Sequence, residues 1–79
     1  MPSVEDRVAA IVAEQLEIDR AEITSDAPFA TDLGADSLDR VRLMLEFEKE
    51  FSVRFPPGSA DRIQTIGGVV ALIEAARAA

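Results

Sequence analysis

The chain has 79 residues, enough for one small domain with a single modest core. It contains no cysteine and no histidine, so it has neither a thiolate nucleophile nor the commonest general base and zinc ligand. A formal charge of −7 and the lack of Trp and Tyr argue against nucleic-acid binding, and no apolar run approaches the ~20 residues of a membrane span. We therefore expect one domain over residues 1–79, with no catalytic residue and no metal site.

The first predicted element is an amphipathic helix over residues 4–18. Its apolar residues recur at helical spacing on one stripe: Val4, Val8, Ile11, Val12 and Leu16. Ser3 is the expected N-cap, with Asp6 as its capping-box partner. The residues before this helix lack the basic flank and apolar stretch of a signal peptide, which favours a freestanding chain in the cytoplasm.

Residues 19–36 carry turn-forming residues with no sustained period, which predicts a long connection. Phe29 and Leu33 are apolar residues inside it, and they favour an ordered loop strapped across a core. A second helix is predicted from Asp36 to Phe51, with Asp36 as its cap. Its expected apolar face comprises Leu38, Val41, Leu45, Phe47 and Phe51, broadened by Leu43 and Met44.

The segment Pro56-Pro57-Gly58 is a strong helix break. After it, residues 59–63 can form one short helical turn, and Thr65 is the expected N-cap of a last helix. Gly67 and Gly68 weaken the first turn of that helix by ~1 kcal/mol each relative to Ala. The chain is thus predicted to be all-α, a small antiparallel bundle of three main helices plus one short helix.

Residues 32–39, D-L-G-A-D-S-L-D, combine a glycine turn with a hydroxyl in the first turn of a helix. Unpaired backbone N–H groups and the positive end of the helix dipole converge there, and they stabilise anionic oxygens such as those of a phosphate. Nothing nearby can activate Ser37, because the chain has no histidine and the close ionisable neighbours are carboxylates. Ser37 is therefore interpreted as a passive acceptor of a modification.

The run from Asp32 to Leu38 resembles the attachment motif of the acyl carrier protein family at every position, and the resemblance extends over essentially the whole chain. It implies that Ser37 carries 4'-phosphopantetheine through a phosphodiester, with Asp36 and Leu38 beside it, and that acyl groups ride as thioesters on the arm. The implied partners are a phosphopantetheinyl transferase and acyl-transferring and chain-elongating enzymes, and the implied state is a monomer.

Several roles stay open at this point. Ser37 can be a plain helix cap instead of an attachment residue, and Asp36 and Asp39 can serve as caps, as acidic contacts for partners, or as both. Part of the core opens in this family to receive the acyl chain, so core and cavity roles are not separable for six residues: Phe29, Val41, Leu45, Phe47, Phe51 and Ile63. Phe47 and Phe55 are bulky for their positions, which predicts a smaller or reshaped cavity.

The second helix departs from the strongly acidic pattern of the family. Arg42 takes a place where the family typically has Glu, and Arg40 and Lys49 also stand among the acids. One explanation is local pairing through Asp36–Arg40, Asp39–Arg42, Arg42–Glu46 and Glu46–Lys49. The other is a dedicated lipid or polyketide pathway whose enzymes recognise a different charge pattern. The expected partner-recognition residues are Asp36, Asp39, Arg40, Arg42 and Glu48.

Two rival functions remain. The first keeps the arm and changes the cargo, giving an aryl, peptidyl or alanyl carrier. The second is an unmodified helical interaction module with the same fold.

Overall fold

The computed structural model describes residues 3–29 and 33–78. In this part of the chain the α-helices are α1 (Val4–Leu16), α2 (Ser37–Phe51) and α3 (Ile66–Ala78), and one-turn 3-10 helices cover Arg20–Glu22 and Ser59–Arg62. The prediction of an all-α fold with three main helices is confirmed, with no strand in the described ranges. None of these helices is long and apolar enough to cross a bilayer.

The helix starts follow from local capping residues. At α1, the Asp6 N–H donates to Ser3 Oγ (3.1 Å) and the Ser3 N–H donates to Asp6 Oδ2 (3.4 Å), so the capping box is present. At α3, the Gly68 N–H donates to Thr65 Oγ1 (3.1 Å), as expected for an N-cap threonine. The predicted end of α1 at residue 18 is wrong by two residues, because Glu17 adopts a left-handed conformation (φ 55°) that ends the helix.

The core forms around α1, which packs against both α2 and α3. The connection after α1 contributes Phe29, whose side chain is fully buried, and the Phe29 N–H donates to the Gln64 carbonyl (2.7 Å) in front of α3. Leu33 is partly buried and packs against the same core. The expected ordered loop across the core is therefore confirmed for its described residues, while Ala30, Thr31 and Asp32 lie outside them.

The glycine pair at the start of α3 lies where the preceding loops approach the helix closely. The Gly67 N–H donates to the Ser25 carbonyl (3.0 Å), and a Cβ on Gly67 would lie 3.5 Å from that oxygen. A Cβ on Gly68 would lie 3.3 Å from the Arg62 carbonyl, which is tighter than an ordinary contact. The two glycines have low helix propensity, but they allow the two preceding connections to pack closely against α3.

The buried face of α2 is only part of the predicted apolar face. Leu43, Phe47 and Phe51 are buried at i, i+4 and i+8. By contrast, Leu38, Val41 and Leu45 are 56%, 39% and 55% exposed. Their prediction as core residues is wrong, because side chains at i, i+3 and i+7 from Leu38 lie on the opposite side of the helix from Leu43 and Phe47.

Phe51 ties the C-terminal end of α2 to the other two helices. The Arg7 guanidinium of α1 lies 4.4 Å from the centroid of the Phe51 ring, and that of Arg77 in α3 lies 5.7 Å from it. Arg7 also forms an ion pair with Glu50, with 2.8 Å between Nη2 and Oε2. Three helices therefore meet at one aromatic ring.

Candidate functional site

Ser37 is the first residue of α2 and its side chain is exposed. Two features fix the position of this corner. Asp36 caps the helix, since the Asp39 N–H donates to Asp36 Oδ1 (2.8 Å) and the Asp36 N–H donates to Asp39 Oδ2 (3.2 Å). Just before it, Gly34 turns the chain at φ 73°, and buried Ala35 donates its N–H to the Phe29 carbonyl (2.8 Å). The hydroxyl therefore lies on an exposed corner whose backbone is held by the cap and by the Ala35 hydrogen bond.

The backbone around Ser37 suits an anion. No hydrogen bond joins the N–H groups of Ser37 and Leu38 to another residue in the described ranges, as expected for the first turn of a helix. These donors and the positive end of the helix dipole can stabilise phosphate oxygens attached at Ser37. The hydroxyl itself has no base, since the chain lacks histidine and both nearby carboxylates accept backbone hydrogen bonds in the capping box.

The capping role of Asp36 and Asp39 is thus visible in the structure, whereas their role in partner recognition stays a prediction. Leu38, expected beside the cofactor, is exposed next to Ser37. Asp32, the first residue of the motif, lies outside the described residues.

The arginines of α2 occupy different environments. Arg42 is exposed, whereas Arg40 is half-buried. The Arg40 Nη2 lies 3.4 Å from Ser37 Oγ, and its buried Nε has no hydrogen-bond partner among the described residues. The sequence predicted neither the contact of Nη2 nor the burial of Nε, because charge and spacing do not give the direction of a long side chain.

The four local ion pairs that were one explanation for the basic residues of α2 do not form among the described residues. Within the described ranges the ion pairs are Arg7–Glu50 and Arg20–Asp6. The carboxylates of Asp36 and Asp39 accept backbone N–H groups instead, which explains two of the missing pairs. Local pairing therefore does not account for Arg40 and Arg42.

Glu48 has a structural contact that the sequence did not predict. It is half-buried, and its Oε2 accepts a hydrogen bond from the Phe55 N–H (2.8 Å). The carboxylate thus holds the segment that follows α2. Its expected contact with partners stays a prediction.

The six residues expected to line an acyl cavity separate into two groups. Phe29, Phe47 and Ile63 are fully buried in one core cluster with Phe51, which is 6% exposed. Val41 and Leu45 are instead on the exposed face of α2, so the structure does not bring them to the core. Two apolar grooves of about 310 and 200 Å³ lie along α3 and share Arg62, Leu72 and Ala75, and none of the six residues lines either groove.

Among the described residues, no cluster of three or more acidic side chains is arranged to hold a metal ion. The corner at Ser37 instead fits a covalent phosphate ester, because it offers an exposed hydroxyl, two N–H groups and a neighbouring guanidinium.

Comparison with known proteins points the same way. Residues 6–73 match the family described as a phosphopantetheine attachment site. The acyl carrier proteins of Porphyromonas gingivalis strains ATCC 33277 and W83 are each 45% identical over 74 residues, which is 94% of this chain and 95% of theirs. A solved structure from Mycobacterium tuberculosis, described as a candidate acyl carrier protein, superposes with a TM-score of 0.83 at 32% identity, over 92% of this chain and 97% of that one.

The relatives are named as carriers, and members of this family are not enzymes. The prediction that the chain is not an enzyme is therefore confirmed. Family membership also implies 4'-phosphopantetheine as the cofactor and a transferase and biosynthetic enzymes as partners. From its motif, its all-α fold and these similarities, the chain belongs to the acyl carrier protein family.

Proposed function

We propose that Ser37 is the residue that carries 4'-phosphopantetheine, and that the arm presents acyl thioesters to the enzymes of a dedicated biosynthetic pathway. The observation that carries this proposal is the exposed Ser37 hydroxyl at the capped start of α2, inside the attachment motif. The thiol at the end of the arm supplies the chemistry that binds acyl groups. The chain itself positions and presents that arm.

The attachment step requires a base from outside the chain. The Ser37 O–H bond breaks and an Oγ–P bond forms, while the phosphoanhydride bond of a donor such as coenzyme A breaks and its nucleotide leaves. The proton passes to a base on the transferase, because the carboxylates of Asp36 and Asp39 are engaged in the capping box. The N–H groups at the start of α2 orient the phosphate oxygens.

The test is the mass of the intact protein after co-expression with a phosphopantetheinyl transferase. We expect a gain of one phosphopantetheine in the native chain and in Ser52→Ala, and no gain in Ser37→Ala. Ser52 is a matched control, because it is an exposed serine at the other end of the same helix. No gain in the native chain, or a gain that persists in Ser37→Ala, would refute the proposal.

We propose that partners recognise the exposed face of α2, which we call the recognition face and which consists of Leu38, Val41, Arg42 and Leu45. Three apolar side chains lie open to solvent along this face, and Arg42 lies among them. Asp36 and Asp39 contribute negative charge at the end of this face. A partner of this chain therefore needs an apolar patch with an acidic group opposite Arg42.

A dedicated pathway is proposed because Arg42 replaces the acid typical of the family and has no ion-pair partner in the described ranges. The test is loading by a malonyl transferase of primary fatty acid synthesis, with Arg42→Glu compared with the native chain. We expect a gain of about tenfold in kcat/KM, the equivalent of one favourable charge contact replacing a repulsive one. Arg54→Glu, an exposed arginine outside α2, is the matched control. Equal rates in all three chains would contradict the specialised role.

We propose that the acyl chain enters the core at Phe29, Phe47 and Ile63. These side chains are fully buried, so cargo can enter only when they separate. The melting temperature across a series of acyl lengths tests this, since an enclosed chain stabilises the folded state. A rise that stops at short lengths would support the small cavity implied by Phe47 and Phe55, whereas a flat series would contradict enclosure.

We also propose a monomer that acts in the cytoplasm. Three exposed apolar side chains on α2 offer far less than the roughly 1,200–2,000 Å² that a stable interface buries, and a thiol-tipped arm works in a reducing compartment. Light scattering on the loaded chain and cell fractionation test the two statements. A concentration-independent dimer, or recovery from the cell envelope, would contradict them.

A further inference from the structure

We infer that Arg40 binds the phosphodiester of the attached arm and so fixes the base of the arm against α2. The inference rests on the proposed attachment at Ser37. It gives Arg40 a role toward the arm itself, in place of the partner contact expected from the sequence.

The geometry around Ser37 Oγ carries the first step. The Arg40 Nη2 lies 3.4 Å from this oxygen, at the long end of hydrogen-bonding distance for a neutral hydroxyl. Phosphorus attached to Oγ would place its non-bridging oxygens one bond further out. These phosphate oxygens would then surround Ser37 Oγ, which the Arg40 Nη2 atom already contacts. An anionic oxygen attracts a guanidinium more strongly, and such contacts shorten to about 2.7–2.9 Å.

The second step comes from an unsatisfied donor. The Nε atom of Arg40 is buried and has no hydrogen-bond partner in the described part of the chain. A buried donor without a partner is costly, and no carboxylate in the described ranges forms an ion pair with Arg40. Nε and Nη2 are adjacent donors on one edge of the guanidinium plane, and such an edge binds two oxygens of one phosphate. The phosphodiester would supply the missing acceptor.

Arg42 allows a direct contact between Arg40 and the phosphodiester to be distinguished from a general attraction of positive charge on α2 for the phosphate. Both arginines lie on α2 and carry the same charge, but Arg42 is exposed and makes no hydrogen bond to Ser37. An effect of overall charge would be similar at the two positions. A direct contact with the arm would appear at Arg40 alone.

The experiment uses the chain with and without its arm, with loading verified by mass. In the loaded native chain we expect the Arg40 side-chain N–H signal to shift in 1H–15N spectra relative to the apo chain, while the Arg42 signal stays in place. Arg40→Gln should move the 31P signal of the arm, whereas Arg42→Gln should leave it unchanged. Arg40→Lys keeps the charge but loses the two-donor edge, so it should move the 31P signal by a smaller amount.

Stability gives a second readout. The rise in melting temperature on loading should fall by about 2–8 °C in Arg40→Gln and stay at the native value in Arg42→Gln. If loading succeeds but the Arg40 N–H signal does not move, the inference is overturned while the attachment at Ser37 stands. Equal 31P changes in Arg40→Gln and Arg42→Gln would overturn it as well. If the native chain does not load at all, the proposed function fails first and this inference with it.

Discussion

Asp36 combines two roles that paired substitutions can separate. Its carboxylate accepts the Asp39 N–H at 2.8 Å, and its negative charge lies at the positive end of α2. Removing an N-cap costs about 1 kcal/mol, and losing a charge at this end costs about 0.3–1 kcal/mol more. Asp36→Ala should therefore lower the unfolding free energy by about 1.5 kcal/mol. Asp36→Asn keeps a capping oxygen and should lose only about 0.5 kcal/mol.

These differences are measurable by thermal denaturation of the apo chain. In a domain of this size 1 kcal/mol corresponds to about 4–8 °C, so we expect a fall of about 6–12 °C for Asp36→Ala and about 2–4 °C for Asp36→Asn. Asp61→Asn, a charge change on an exposed residue of the 3-10 turn, is the control. If Asn destabilises the chain as much as Ala, the cap is not what Asp36 contributes.

The same variants decide between capping and recognition. Asp36→Asn should load more slowly with the transferase while remaining folded, because it removes an acidic contact and keeps the cap. Loading at the native rate would show that the charge of Asp36 contributes nothing to recognition.

Four further substitutions test the packing. Phe47→Ala should cost about 3–5 kcal/mol in urea denaturation because the ring is fully buried, whereas Leu45→Ala should change stability by less than about 0.5 kcal/mol; equal losses would contradict the assigned face of α2. Gly67→Ala should stabilise the chain by about 0.4–1 kcal/mol, since its Cβ has room at 3.5 Å, and a loss of stability would show that the loop cannot give way. Arg7→Gln should cost about 1 kcal/mol, less at high salt, because the contacts with Phe51 and Glu50 are partly exposed; a loss independent of salt would argue against the ion pair.

The sequence predicts helix starts well, because the signals are local. Ser3, Asp36 and Thr65 each accept a hydrogen bond from the backbone three residues ahead, and that geometry depends on only four residues. The attachment serine is predictable for the same reason, since its motif is contiguous.

The sequence does not predict which side of α2 is buried. Apolar residues occur nearly all around this helix, so Leu38, Val41 and Leu45 fit a helical stripe as well as Leu43 and Phe47 do. Which of these two stripes is buried depends on where α1 and the connection before α2 pack. Sequence spacing equally allows Arg40 to pair with Asp36, yet the cap takes that carboxylate and the guanidinium lies beside Ser37.

Phe51 and Ser37 are the last and first residues of a 15-residue helix whose axial length is about 21 Å. At the far end, Arg7 and Arg77 fasten the Phe51 ring to both neighbouring helices. The contacts that join α2 to its two neighbours at Phe51 therefore lie about four helical turns from Ser37. A protein that binds at Ser37 can do so without disturbing them.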